Sequence, residues 1–198
     1  MHLRPSLRRA VLVTALATLW PLAACGSDNT QSWVGTFCGT GSSLRTVLSD
    51  ANASLKIDLA AHASPATVKA GVVRRADEIA AAAARSTTRV REAGDPSVDE
   101  GKGIELAAIS LYDGIEAQAK ANQITASSLS DADADADALT AGLGPYSQQV
   151  ADLGGRLARS FTYIQDYKGY ADVEEASRKP DPETHVDVTC TELQKGAS

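Results

Sequence analysis

Apolar residues recur at alternating steps of four and three along most of the chain, the spacing that gathers them on one face of an α-helix. The first series runs Phe37, Gly41, Leu44, Leu48, Ala51, Leu55 and Asp58 or Leu59. It predicts a helix from about Ser32 to Ala61, weakest at Gly39 and Gly41. Ser64 then stands as an N-cap before Pro65, whose missing N–H costs nothing at a first helical position. The second helix, from Pro65 to about Glu92, places Val68, Val72, Arg75, Ile79, Ala82, Ser86 and Val90 on one face. Ala80 to Ala84 adds intrinsic helicity, and Gly94-Asp95-Pro96 stops it.

A third helix, from about Val98 to Ser127, repeats Ile104, Ala108, Leu111, Ile115, Gln118, Asn122, Thr125 and Leu129. Its opening Asp99 and Glu100 suit the positive end of the helix dipole. The alternating Asp131, Asp133, Asp135 and Asp137 read as a solvated connection or a frayed helix start. A fourth helix carries Leu139, Leu143, Tyr146, Val150, Leu153, Leu157, Phe161 and Ile164 and is expected to continue to about Ala176. Pro145 should kink it or mark its true start. Long amphipathic helices joined by short loops make antiparallel neighbours. The expected fold class is therefore all-α, an antiparallel up-down-up-down four-helix bundle.

The N-terminus stands apart from this pattern. Arg4, Arg8 and Arg9 precede an uncharged apolar stretch, Ala10 to Leu19, too short to span a bilayer as a stable helix. Leu22-Ala23-Ala24-Cys25 follows, and Gly26-Ser27-Asp28 reads as a flexible tether. This segment resembles the leader and lipobox of a bacterial lipoprotein precursor. The resemblance implies cleavage before Cys25, lipidation of Cys25, and anchorage at the extracytoplasmic face of the cell membrane. The domain plan is then 1–24 signal peptide, 25–31 lipidated tether and 32–198 helical bundle.

Export places the remaining cysteines, Cys38 and Cys190, in an oxidising compartment, where an even pair forms one disulfide. In the up-down-up-down topology the start of the first helix and the end of the fourth meet, which brings these two residues to one end. The formal net charge is −6, and loss of the arginine-bearing leader makes the remaining chain more acidic still. Such a chain is repelled by nucleic acid.

With the lipobox, Trp33, Phe37-Cys38, the alanine-rich helix, the Gly94-Asp95-Pro96 turn, and Cys190 followed by Leu193, the chain resembles the small helical lipoproteins of high-GC Gram-positive actinobacteria. Gly39 and Gly41 depart from that pattern. The resemblance implies an address and a fold, and carries no catalytic residues.

Little in the residues points to catalysis. Outside the leader the histidines are His62 and His185, and there is no Gly-x-Ser-x-Gly elbow. Glu-x-x-His pairs for a di-iron bundle are missing, and with aromatic residues at 5% there is little to build a sugar platform. Glu105, Glu116, Glu174 and Glu175 read as exposed helix faces. The aspartate run lacks the glycine and closing glutamate of a calcium loop. Gly39 to Ser43 lacks the lysine of a phosphate loop. No metal, no cofactor and no enzymatic activity are expected.

Two features stay open. Arg75, Gln118 and Asn122 fall on apolar helix faces, and antiparallel register sets them near Asp58, His62 and Tyr146. Interior polar groups must be satisfied, by a bound small molecule or by one another. In the second case Arg75 reaches solvent beside Asp113 or another acid, and Gln118 and Asn122 form a register-fixing layer. Tyr163 and Tyr170, seven residues apart, form either an exposed stripe for a protein partner or a packing surface for Trp33 and the C-terminal tail. The functional expectation is a membrane-anchored, non-catalytic interaction or sensing module serving another envelope protein. The alternative is a small-ligand carrier using Arg75, Gln118, Asn122 and Tyr146.

Overall fold

The computed structural model describes residues 29–61, 64–128, 136–180, 190, 191 and 193, and of 59, 60 and 136–142 the backbone alone. The leader, Cys25, His62, His185 and the aspartate repeat up to Asp135 lie outside these residues. The described residues form five α-helices and a short 3-10 helix, with no strand among them. The helices are α1 (Thr30–Ala60), α2 (Pro65–Ala93), α3 (Gly101–Ser127), α4 (Ala136–Ala158) and α5 (Tyr170–Arg178).

Helix α1 runs unbroken through Gly39 and Gly41. Gly41 has no room for a side chain: an added Cβ would lie 2.8 and 2.9 Å from the Leu193 methyls and 3.2 Å from the Tyr112 hydroxyl. Hydroxyls of Thr36, Thr40 and Ser43 donate to carbonyls one turn back, at 3.1, 2.9 and 2.9 Å. Helix α2 starts as its residues dictate, with Ser64 Oγ accepting from the Thr67 amide at 3.3 Å and Gly94 at φ 73° after its end.

Helix α3 begins three residues later than expected, because Glu100 takes a left-handed conformation at φ 57°. Its carboxylate accepts the Lys168 amide at 3.0 Å, and the Gly169 amide donates to the Asp99 carbonyl at 3.0 Å. The Lys168 N–H holds the Glu100 carboxyl below its usual range. Helix α4 carries Pro145 inside its span instead of starting there.

The expected continuation of the fourth helix to Ala176 is corrected. It ends at Ala158, Ser160–Tyr163 forms the 3-10 helix, and α5 starts afresh at Tyr170. The break turns Phe161 onto the Phe37 ring, with centroids 5.6 Å apart, and lets Ile164 and Val173 both be buried. It also seats Gly169 against Asp99 and Val98, where a Cβ would collide with both.

Helix α2 packs most extensively against α3 and then α1, and α1 also receives α4 and α5. The periodic positions make the core: Leu44, Leu48 and Leu55; Val68, Val72 and Ile79; Ile104 and Ile115; Val150, Leu153 and Leu157. Each such burial contributes about 1.5–3 kcal/mol before the entropy of ordering is subtracted. Cys38 and Cys190 are disulfide-bonded with their Cα atoms 4.9 Å apart. No helix among the described residues is long and apolar enough to cross a membrane.

Candidate functional site

Two polar regions of the interior and its margins are candidates. The first lies where α1, α2 and α4 meet. Arg75 is 5% exposed, and its Nη2 donates to Asp58 Oδ2 at 2.5 Å. Gly71, one turn earlier, makes room for the guanidinium: a Cβ there would lie 2.9 Å from Arg75 Nη1 and 3.2 Å from Asp58 Oδ2. Arg75 Nη1 and the Tyr146 hydroxyl are both buried and have no hydrogen-bond partner. Burial pushes Tyr146 up to about 12; the nearby Arg75 charge opposes this and Glu78 adds to it.

The expected association of four residues is only partly present. Arg75 and Tyr146 are neighbours, whereas Gln118 Nε2 donates to Asn122 Oδ1 at 3.0 Å as a separate pair on α3. No interaction among the described residues joins that pair to Arg75. Asn122 is buried and Gln118 half-buried, which fits the polar-layer alternative. Of the acids open to Arg75, Asp58 on α1 takes the guanidinium, while Asp113 accepts from Thr87 Oγ1 at 2.7 Å. The expectation that Arg75 reaches solvent is corrected: packed between α1, α2 and α4, it stays buried.

The second region includes part of the Gly39–Ser43 stretch, but its α2 side went unread in the sequence. Helices α1 and α2 flank two clefts of about 410 and 140 Å³ that share Thr40 and Arg89. The larger is lined by Ser32, Trp33, Gly35, Thr36, Gly39 and Glu92 among others; the smaller adds Ser43, Val47, Arg85 and Ser86. Small residues at Gly35, Gly39, Ser43, Ala82 and Ser86 keep the two helix faces from filling the space between them. Trp33 is buried, its indole N–H without a partner. Arg85 and Arg89 are exposed, and neither forms an ion pair among the described residues. Their spacing of four was visible beforehand, but only the register of α1 on α2 sets them beside the glycines.

Of the two alternatives for Tyr163 and Tyr170, the exposed stripe is not formed. The break between Tyr163 and Tyr170 takes them off a common helix face: Tyr163 is 45% exposed, and Tyr170 packs partly buried against the core. Tyr167 lies over Gly103, where a Cβ would strike its ring. Trp33 stacks on Phe37 at 5.3 Å, and Tyr112 meets Phe37 edge-on at 6.1 Å. The Tyr112 hydroxyl donates to the Phe37 carbonyl at 2.9 Å, with Thr40 Oγ1 3.2 Å away, and burial raises its ionisation far above the usual range. The reading of Glu105 as an exposed acid is corrected: it is 2% exposed and takes its charge partner from Lys102 one turn earlier, whose long stem reaches back from solvent. Among the described residues no group of three or more His, Cys, Asp or Glu is placed to hold a metal ion.

No protein-family model matches the chain, and neither a curated protein nor a solved structure is significantly similar to it.

Proposed function

We propose that the protein is an exported lipoprotein, held through lipidated Cys25 at the outer face of the cell membrane, and that it serves there as a non-catalytic interaction module for another envelope protein. In this reading it is a small helical lipoprotein of the actinobacterial type. Its long helices form an up-down-up-down four-helix bundle clamped by Cys38–Cys190. The observation that carries the interaction role is the open polar groove between α1 and α2, edged by Arg85 and Arg89, which have no ion-pair partner among the described residues.

The anchor is tested by feeding labelled palmitate to cells making the full chain: label should enter the protein and be lost in Cys25→Ser. The interaction role is tested by placing a photo-crosslinking side chain in the groove, at Thr36 or Ser43, and on the exposed face of α3, at Ala121. An adduct with one envelope protein should form from the groove positions alone. Equal yields from all three positions would sink the reading.

A carrier of a small polar ligand is the second reading, favoured by the buried, unpartnered Arg75 Nη1 and Tyr146 hydroxyl. A compound present at a hundred times its dissociation constant would stabilise the fold by about 2.7 kcal/mol. A saturable thermal shift from one metabolite, abolished by Arg75→Ala, would put this reading first; a screen without any shift would remove it.

A further inference from the structure

We infer that the groove between α1 and α2 receives an extended acidic segment of the partner protein, seating two of its carboxylates on Arg85 and Arg89. The inference rests on the interaction reading proposed above and names the partner's chemistry. The formal net charge is −6, and half of the exposed cations among the described residues are ion-paired, Arg74 with Glu78, Lys120 with Glu116, Lys168 with Glu100 and Arg178 with Glu174 among them. Arg85 and Arg89 are, like Lys56, Arg91, Arg156 and Arg159, not ion-paired among the described residues, and both line the clefts between α1 and α2, which an extended chain can enter.

Their geometry suits an extended ligand. Residues four apart on a helix are displaced by about 6 Å along its axis. In an extended chain, alternate side chains on one face recur at about 6.6–6.8 Å. Two acids separated by one residue therefore match the two arginines. Planar guanidinium groups favour paired hydrogen bonds to carboxylates. Gly39 leaves open space where a Cβ would meet nothing within 4 Å, so the segment's backbone can approach α1 closely there. Glu92, three residues after Arg89 on α2, lines the larger cleft with it and repels acids. The carboxylates are thus directed to the Arg85 end, which gives the segment a preferred register.

The test uses the full chain and a fluorescent peptide of alternating aspartate and alanine, with an asparagine–alanine peptide as control. Binding is followed by anisotropy, and by Trp33 emission in a Trp20→Phe background, where Trp33 is the sole tryptophan. The aspartate peptide should bind and the control should not. Affinity should fall as salt rises from about 0.01 to about 0.15 M, over which the Debye length shortens from about 30 to about 8 Å. Arg85→Ala with Arg89→Ala should weaken binding about fivefold to tenfold, as expected for two solvent-facing ion pairs. Arg91→Ala, exposed but outside the clefts, should leave it unchanged. Equal binding by the double variant overturns the inference. So does self-association of the chain with the same salt and arginine dependence, which would make a second copy the occupant. If the groove crosslink of the preceding section forms while the aspartate peptide fails to bind, the acidic partner is wrong and the interaction reading stands; if no groove crosslink forms, that reading itself fails.

Discussion

The two ends of α1 solve the same problem in opposite ways. Near its start, Trp33, Phe37 and Cys38 sit in an aromatic and disulfide-bonded cluster in which the buried Tyr112 hydroxyl finds a carbonyl acceptor. About 30 Å further along the helix, Asp58 meets Arg75 and Tyr146, and two buried polar groups there lack partners. The first end is covalently closed and gives the Tyr112 hydroxyl an acceptor, although the buried Trp33 indole N–H there has none. The second holds a charge in the interior with one hydrogen-bonded partner. Unpartnered polar groups are buried at both, and what sets the first end apart is its disulfide and aromatic packing.

The largest effect that would test this contrast is loss of the Cys38–Cys190 bond. The bonded residues are 152 apart in sequence, and freeing a loop of that length should remove up to about 5 kcal/mol in a denaturation series. A reduced protein with unchanged stability would show that the aromatic cluster alone holds this end.

At the other end, Asp58→Ala leaves the Arg75 guanidinium buried without its carboxylate and should cost about 3–5 kcal/mol. The double replacement Asp58→Leu with Arg75→Met should return to within about 1 kcal/mol of the parent, or exceed it, because the pair is weak evidence of net stability. Equal losses in the single and double variants would mean that the polar cluster contributes beyond its own pairing.

Two glycines one turn-half apart on α1 sharpen the comparison with a smaller effect. Gly41→Ala pushes a methyl into Leu193 and the Tyr112 hydroxyl and should destabilise by about 1–2 kcal/mol. Gly39→Ala meets open space in a helix interior and should stabilise by about 0.5–1 kcal/mol. Thermal denaturation of the two variants reads both signs.

The last effect appears only at alkaline pH. Tyr146 is raised from 10.0 to about 12 in the folded chain, so folding retains its proton more strongly than the unfolded chain does. Its contribution is complete below pH 10 and is lost as pH rises toward 12. Ultraviolet titration should show Tyr146 and Tyr112 ionising last of the tyrosines, and Tyr146→Phe should flatten the loss of stability across that window. A Tyr146→Phe variant with an unaltered alkaline profile would assign the loss to other groups.

The sequence by itself determined the helical class, most core positions and the ends of α2, because those follow from local rules: a 3.6-residue apolar period, a serine before proline, a glycine that adopts positive φ. It also made Cys38 and Cys190 the natural pair in the compartment expected for the chain. Tyr112 was legible in hindsight, since both 111 and 112 continue the period from Ala108, and Leu111 hid it. Only the tertiary structure decided where the fourth helix stops, since Phe161 leaves the helical path to reach Phe37 and Gly169 is drawn against Asp99. Only it separated Gln118 and Asn122 from Arg75, gave Arg75 to Asp58, and set Arg85 and Arg89 beside the open face of α1. Those outcomes depend on the register between helices far apart in the chain, an energy shared among many weak contacts, which no local spacing encodes.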